Sequence, residues 1–154
     1  NYGAGNSNRV RRAYRLLLIC SVCYAMIFCL LIQLFPGVFA AIFTSNAELL
    51  AFTKPMLRIY TLALGLFGIQ IACQMTFTAL GNAKASIIVA VMRKFILLLP
   101  LIYMMPHLYT ADLTKAVFMA EPVADVLAVA FTGVLFFFEF RKALRAMPKS
   151  EKNN

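Results

Sequence analysis

The twenty residues from Leu16 to Phe35 carry no charge, and about twenty apolar residues are what an α-helix needs to cross the ~30 Å hydrocarbon core of a bilayer. In lipid every backbone N–H and C=O must find its partner inside the structure, so such a run spans as a helix. Three further stretches follow it. Pro36-Gly37 ends the first span, and Val38 to Phe43 reads as an interfacial return. Ser45-Asn46-Ala47-Glu48 then fits a capping box, in which the Ser side chain and the Glu three residues on satisfy each other's free amides. This predicts one helix from there to Leu80, stopped by Gly81-Asn82. It is longer than the hydrocarbon core, so its first turns, with Lys54-Pro55 and Arg58, lie at or outside the interface. The uncharged run Ile59 to Ala83 supplies the second span. The third carries Arg93, Lys94 and Pro100 and is closed by Pro106, and the fourth carries Glu121, Pro122, Asp125 and Glu139. The spans fall at about 16–35, 57–80, 85–105 and 116–140. A basic loop, 1–15, precedes them and a basic tail, 141–154, follows. The fold class is all-α integral membrane, with four transmembrane helices.

Composition excludes a soluble domain: 62% of the residues are hydrophobic and only 14% charged, against roughly a quarter charged in soluble domains. The net charge of +9 does not imply nucleic acid, because the basic residues cluster beside apolar runs and no basic stripe is interleaved with exposed aromatics. It implies orientation. Arg9, Arg11, Arg12, Arg15, Lys84, Arg141, Lys142, Arg145, Lys149 and Lys152 fall on one side; Lys54, Arg58 and Lys115 fall on the other. The lysine and arginine bias places both ends in the cytoplasm.

Charges inside a span are costly and face a bundle interior or an aqueous cavity. Arg93 lies about 15 Å in from the cytoplasmic end of the third span, and Asp125 lies at a similar depth from the outer end of the fourth. A short loop joins these spans, so they are expected to be antiparallel neighbours with Arg93 paired to Asp125. That pair is either a structural bridge fixing register or part of an ion pathway. Glu121, one turn outward, is expected to be the freer carboxylate. Lys94, rotated by about 100°, is expected to snorkel away. Pro122 frees a backbone carbonyl in mid-span, and Ala120, Ala124, Ala128 and Thr132 form a stripe of small residues suited to close helix approach. Gln70 and Gln74 share one face of the second span, either lining a polar pathway or bonding across helices. Cys20 and Cys23 form a CxxC that would denote redox chemistry in another setting. With Cys29 and Cys73, they read here as buried small hydrophobes. His107 reads as interfacial, without partners for a metal site. No phosphate-cradling Gly-rich motif and no nucleophile elbow is present.

Several of these pieces resemble one family. Asn1-Tyr2-Gly3-Ala4-Gly5-Asn6 with Arg9-Val10-Arg11-Arg12 resembles the loop after the eighth helix of MATE multidrug exporters. Thr78 to Lys84 (TALGNAK) is similar to their tenth-to-eleventh helix connection. Arg93 followed by Leu99-Pro100-Leu101 is similar to their eleventh helix. Ala120-Glu121-Pro122-Val123-Ala124-Asp125 resembles the start of the twelfth in the branch related to the staphylococcal exporter MepA. The resemblance implies helices nine to twelve, part of the C-terminal six-helix lobe of a twelve-helix, two-lobed transporter of the bacterial inner membrane. Such proteins export small organic, mostly cationic substrates in exchange for Na⁺ or H⁺, with no other cofactor. It implies that Asn1 lies within a loop of a longer chain, whose remaining helices are partners together with the bilayer. Arg93, Glu121 and Asp125 would then line the cavity or stabilise the lobe.

Two other classes fit four spans. A membrane thiol-disulfide oxidoreductase would use Cys20 and Cys23, but such enzymes need exchanging thiols near the outer face and these lie toward the cytoplasmic side. A structural subunit of a membrane complex would need no chemistry at all.

Overall fold

The computed structural model describes residues 1–147; Lys149 and Lys152 of the basic tail lie outside them. Among the described residues every regular element is helical. Helix α1 (Ser7–Leu34) starts where the Asn6 side chain accepts the Arg9 amide at 3.0 Å. It ends at Phe35, and Pro36, which has no N–H to lose at a helix start, opens the short α2 (Pro36–Ala41). The cap of α3 (Ala47–Tyr60) is Asn46 rather than Ser45. The extended backbone of Asn46 holds its Oδ1 over the first turn, where it accepts the amides of Glu48 and Leu49 at 2.9 and 3.2 Å.

The helix expected to run unbroken to Leu80 is two helices. Between α3 and α4 (Leu64–Ala79) the axis bends by 52°. Thr61-Leu62-Ala63 contains no residue that breaks helices on its own. The cause is tertiary: α1 takes over the polar groups at the break. Gln33 Nε2 donates to the Arg58 carbonyl (2.8 Å) and to Thr61 Oγ1 (3.2 Å), Cys29 Sγ donates to the Thr61 carbonyl (3.4 Å), and Arg58 Nε donates back to the Gln33 carbonyl (3.1 Å). Broken backbone at membrane depth is tolerated where protein satisfies it. At the other end of α4, Gly81 adopts φ +74° and the Asn82 amide reaches back to the Phe77 carbonyl at 2.9 Å. This left-handed closure suits glycine.

Asn82 also caps the next helix, accepting the Ala85 amide. That helix is one rod, Ala83–Leu108, built from α5 (Ala83–Val91), a π-helical segment (Met92–Leu98) and α6 (Leu99–Leu108). Pro100 lacks an N–H and crowds the carbonyl four residues back, so the turns ahead of it widen. Pro106 does not close the rod; it is carried inside the last turns, which end at Leu108. Helix α7 (Leu113–Arg145) is capped by Asp112, whose Oδ1 accepts the Lys115 amide at 3.0 Å. That bond holds the Asp112 carboxyl below its ordinary value.

Ser7–Leu34, Ala83–Leu108 and Leu113–Arg145 are each long and apolar enough to cross a membrane, and the bent pair α3 and α4 qualifies as a fourth span. The chain is a multi-pass, all-α membrane protein. Helix α7 is its centre, packing on α3, α4, α6 and the π-helical segment, whereas α1 lies at the edge, mostly along α4. The α1–α4 approach is close at Gly68, where an added Cβ would sit 2.6 Å from the Ser21 carbonyl oxygen and 2.8 Å from the Val22 Cα. Ala116, Ala120, Ala124, Ala128 and Thr132 are all buried on α7. Cys73, Phe77, Ala85, Val89 and Phe136 form a core cluster toward the basic ends, and Tyr14 stacks on Phe136 with ring centroids 4.5 Å apart.

Candidate functional site

The π-helical segment carries Arg93 and Lys94, and α7 carries Glu121 and Asp125. Arg93 is where the two rods meet. Its Nη2 lies 2.7 Å from Glu121 Oε1 and 2.6 Å from Asp125 Oδ1, and its Nε donates to Asp125 Oδ1 at 2.7 Å. The side chains of Arg93, Glu121 and Asp125 retain only 14, 8 and 5% exposure. From α4, the Phe67 ring closes the back of the guanidinium, with its centroid 4.6 Å from Arg93 Cζ, a favourable stacking for a partly desolvated cation. One arginine thus answers two buried carboxylates, the fixed N–H donors of its planar guanidinium being directed at both.

Glu121 is the slightly more exposed of the two acids and makes one contact with Arg93 against two for Asp125, but it is not without a second partner, since Lys94 Nζ lies 3.7 Å away. One expectation is corrected here. Lys94 does not turn away from the acids. A rotation of about 100° per residue presumes α-helical winding, and the wider π turn aims consecutive side chains less far apart. With Lys94 the four groups balance to zero net charge.

The remaining singled-out residues lie apart from this cluster or at its border. Gln70, one turn along α4 from Phe67, is buried at 2% exposure, and its Oε1 has no partner among the described residues; Thr132 Oγ1 is in the same position. Gln74 is half-buried one turn further on. Cys20 and Cys23 are exposed free thiols, contrary to the expectation of burial, because α1 gives only one face to the other helices; Cys29 and Cys73 are buried. His107 is exposed, with Nδ1 2.9 Å from the Tyr103 carbonyl. Among the described residues no cluster of three or more His, Cys, Asp or Glu side chains is placed to hold a metal ion. Sequence reasoning missed the link from Asn82 Nδ2 to Glu139 Oε2 at 2.8 Å, which ties the α4–α5 turn to the end of α7. The in-span position of Glu139 was its one visible signal.

Residues 1–104 match the MatE family. The chain belongs to the MatE family. Neither a curated protein nor a solved structure matches it. MatE proteins are efflux transporters and not enzymes, so the thiol chemistry of Cys20 and Cys23 has no support from the family. The matched segment of this MatE chain includes Gln70, Gln74 and Arg93, whereas Glu121 and Asp125 lie beyond it on α7.

Proposed function

We propose that this chain forms helices nine to twelve of a cation-coupled antiporter of the MepA-like branch. In it, the bent pair α3 and α4 serves as helix ten, and both basic ends lie in the cytoplasm of a bacterium. The transporter exports small organic cations in exchange for Na⁺ or H⁺. The observation carrying the coupling is the Arg93–Glu121–Asp125 cluster, two carboxylates held by one arginine in the interior of a membrane bundle. Buried ionisable groups in spans mark ion and proton paths. Asp125, the more enclosed acid, fastens α7 to the Ala83–Leu108 rod through Arg93. Glu121 is the exchanging group: Lys94, whose side chain is 53% exposed, reaches it from the open side, and a coupling cation on that side competes with the lysine for the same oxygen. Gln70 and Gln74 line the adjoining polar path along α4.

The test is gradient-driven efflux. The full reading frame containing this sequence, reconstituted in vesicles, should export ethidium when a Na⁺ or H⁺ gradient is imposed, and Glu121→Gln should lower the coupled rate at least tenfold. Efflux independent of both gradients, or coupling unchanged in Glu121→Gln, refutes the assignment. The helix numbering has its own test. The frame upstream of Asn1 should encode about eight more apolar spans, and a stop codon immediately upstream sinks it.

A further inference from the structure

The basic end of the bundle holds a groove of about 510 Å³ between α1 and α7. Arg11 and Arg141 stand at its rim, and its walls are Tyr14, Phe136, Phe137 and Phe140. Among the described residues no carboxylate lies within ion-pair distance of either arginine, since the ion pairs found involve Arg93, Lys94 and Lys115. Arg141 is held in place, its Cζ 4.9 Å above the Phe137 ring. A second concavity shares Arg141 and adds Lys142 and Arg145, so the cationic rim is wider than two side chains. The floor of the groove is Gly133, where an added Cβ would meet nothing within 4 Å. Gly133 lies eight residues before Arg141 on one helix, about 12 Å deeper along the axis.

We propose that this groove is a binding site for an anionic phospholipid. Two guanidinium groups lining one groove at the level where a span leaves the membrane match a phosphodiester. The aromatic and glycine-floored channel below them matches the first part of an acyl chain, and its length runs into the membrane rather than along its surface. A soluble anion would use the arginines and ignore the channel. A zwitterionic lipid would use the channel and gain less from the rim. Both features together select a lipid with net negative charge. The assignment rests on the groove alone and holds whether or not the chain couples transport to a cation.

The experiment is native mass spectrometry of the full-length protein released from micelles containing phosphatidylglycerol and phosphatidylcholine in equal amounts. Phosphatidylglycerol should be retained in preference. Near a membrane surface each basic residue contributes roughly a fivefold effect on binding of anionic lipid. Arg11→Gln with Arg141→Gln should therefore cut retention by about 25-fold, while Arg11→Lys with Arg141→Lys keeps most of it. Gly133→Leu puts a side chain into the channel at a position where the added Cβ meets nothing within 4 Å. It should lower retention of phosphatidylglycerol while leaving the thermal midpoint within about 2 °C, because Gly133 has room around it. Equal retention of the two lipids, or no loss in the double Gln variant, overturns the proposal. Loss in the Gln variant with Gly133→Leu unaffected, and displacement by inorganic phosphate, also overturns it and leaves a site for a free anion.

Discussion

Replacing Arg93 by methionine removes the charge but keeps most of the side-chain length, which makes it the most informative single change to this chain. In the structure the guanidinium makes contacts of 2.6 to 2.7 Å with two carboxylates that are 8 and 5% exposed. Stripping one partner from a buried ion pair costs about 3–5 kcal/mol, since the surviving charge has neither water nor a counter-ion. Here two acids are stranded, and only Glu121 has a second cation, Lys94 at 3.7 Å. Asp125→Asn is milder, because Arg93 keeps Glu121; the loss is that of a charge-assisted hydrogen bond, about 1.5–3 kcal/mol. The double variant Arg93→Met/Asp125→Asn removes the stranded charge of Asp125 along with the arginine, so it should be more stable than Arg93→Met alone. At about 2–4 °C per kcal/mol for a domain of this size, Arg93→Met should lower the thermal midpoint by about 6–20 °C. The chain has no Trp, so the assay is a thiol-reactive dye reaching buried Cys29 and Cys73 in a Cys20→Ala/Cys23→Ala background. Single effects that add to the double within about 0.5 kcal/mol would mean that the two residues act independently, and the paired-site reasoning would be wrong.

Two further outcomes follow from local geometry. Gly68→Ala drives a Cβ into backbone atoms of Ser21 and Val22 and should destabilise by about 1–3 kcal/mol. Gly133→Ala, which meets nothing, should be neutral or stabilise by up to about 1 kcal/mol; equal midpoints for the two variants would refute the close α1–α4 approach. The pH dependence of the α7 start comes from Asp112, whose carboxyl the Lys115 amide holds below its ordinary value. A lowered folded value means that its stabilising contribution is complete above the unfolded pKa of about 3.9 and disappears as pH falls through the folded value. Hydrogen exchange over residues 113–116, corrected for intrinsic rate, should therefore show added opening below about pH 4. Asp112→Ala should open the same amides at neutral pH and flatten that dependence.

The long helices were legible because lipid leaves a backbone few choices: a run of about twenty mostly apolar residues is a global constraint. The meeting of Arg93 with Asp125 was legible for a related reason, as depth can be counted at a fixed rise per residue. What was not legible depends on partners or on winding. The bend at Thr61 has no local cause, since its polar groups are satisfied by Gln33 and Cys29, about thirty residues earlier. The direction of Lys94 depends on a π turn whose one visible sign is Pro100. Ser45 and Asn46 are nearly equal as caps, so backbone geometry decides between them. The exposure of Cys20 and Cys23 follows from α1 lying at the edge, and apolar composition is the same for a residue facing a helix and one facing lipid.

The 32-residue separation between Arg93 and Asp125 also sets a schedule. Ribosomes add about 5–20 residues per second, so the arginine is made some two to six seconds before Asp125. For most of that interval the nascent chain holds a charged side chain that costs about 2.5–3.5 kcal/mol at a helix centre, before Glu121 and Asp125 follow it. The Ala83–Leu108 rod must therefore wait in a shallow or water-facing position, and arrival of α7 is the event that lets it settle. A chain cut short before Glu121 never reaches that event and keeps a lone arginine where the bilayer disfavours it.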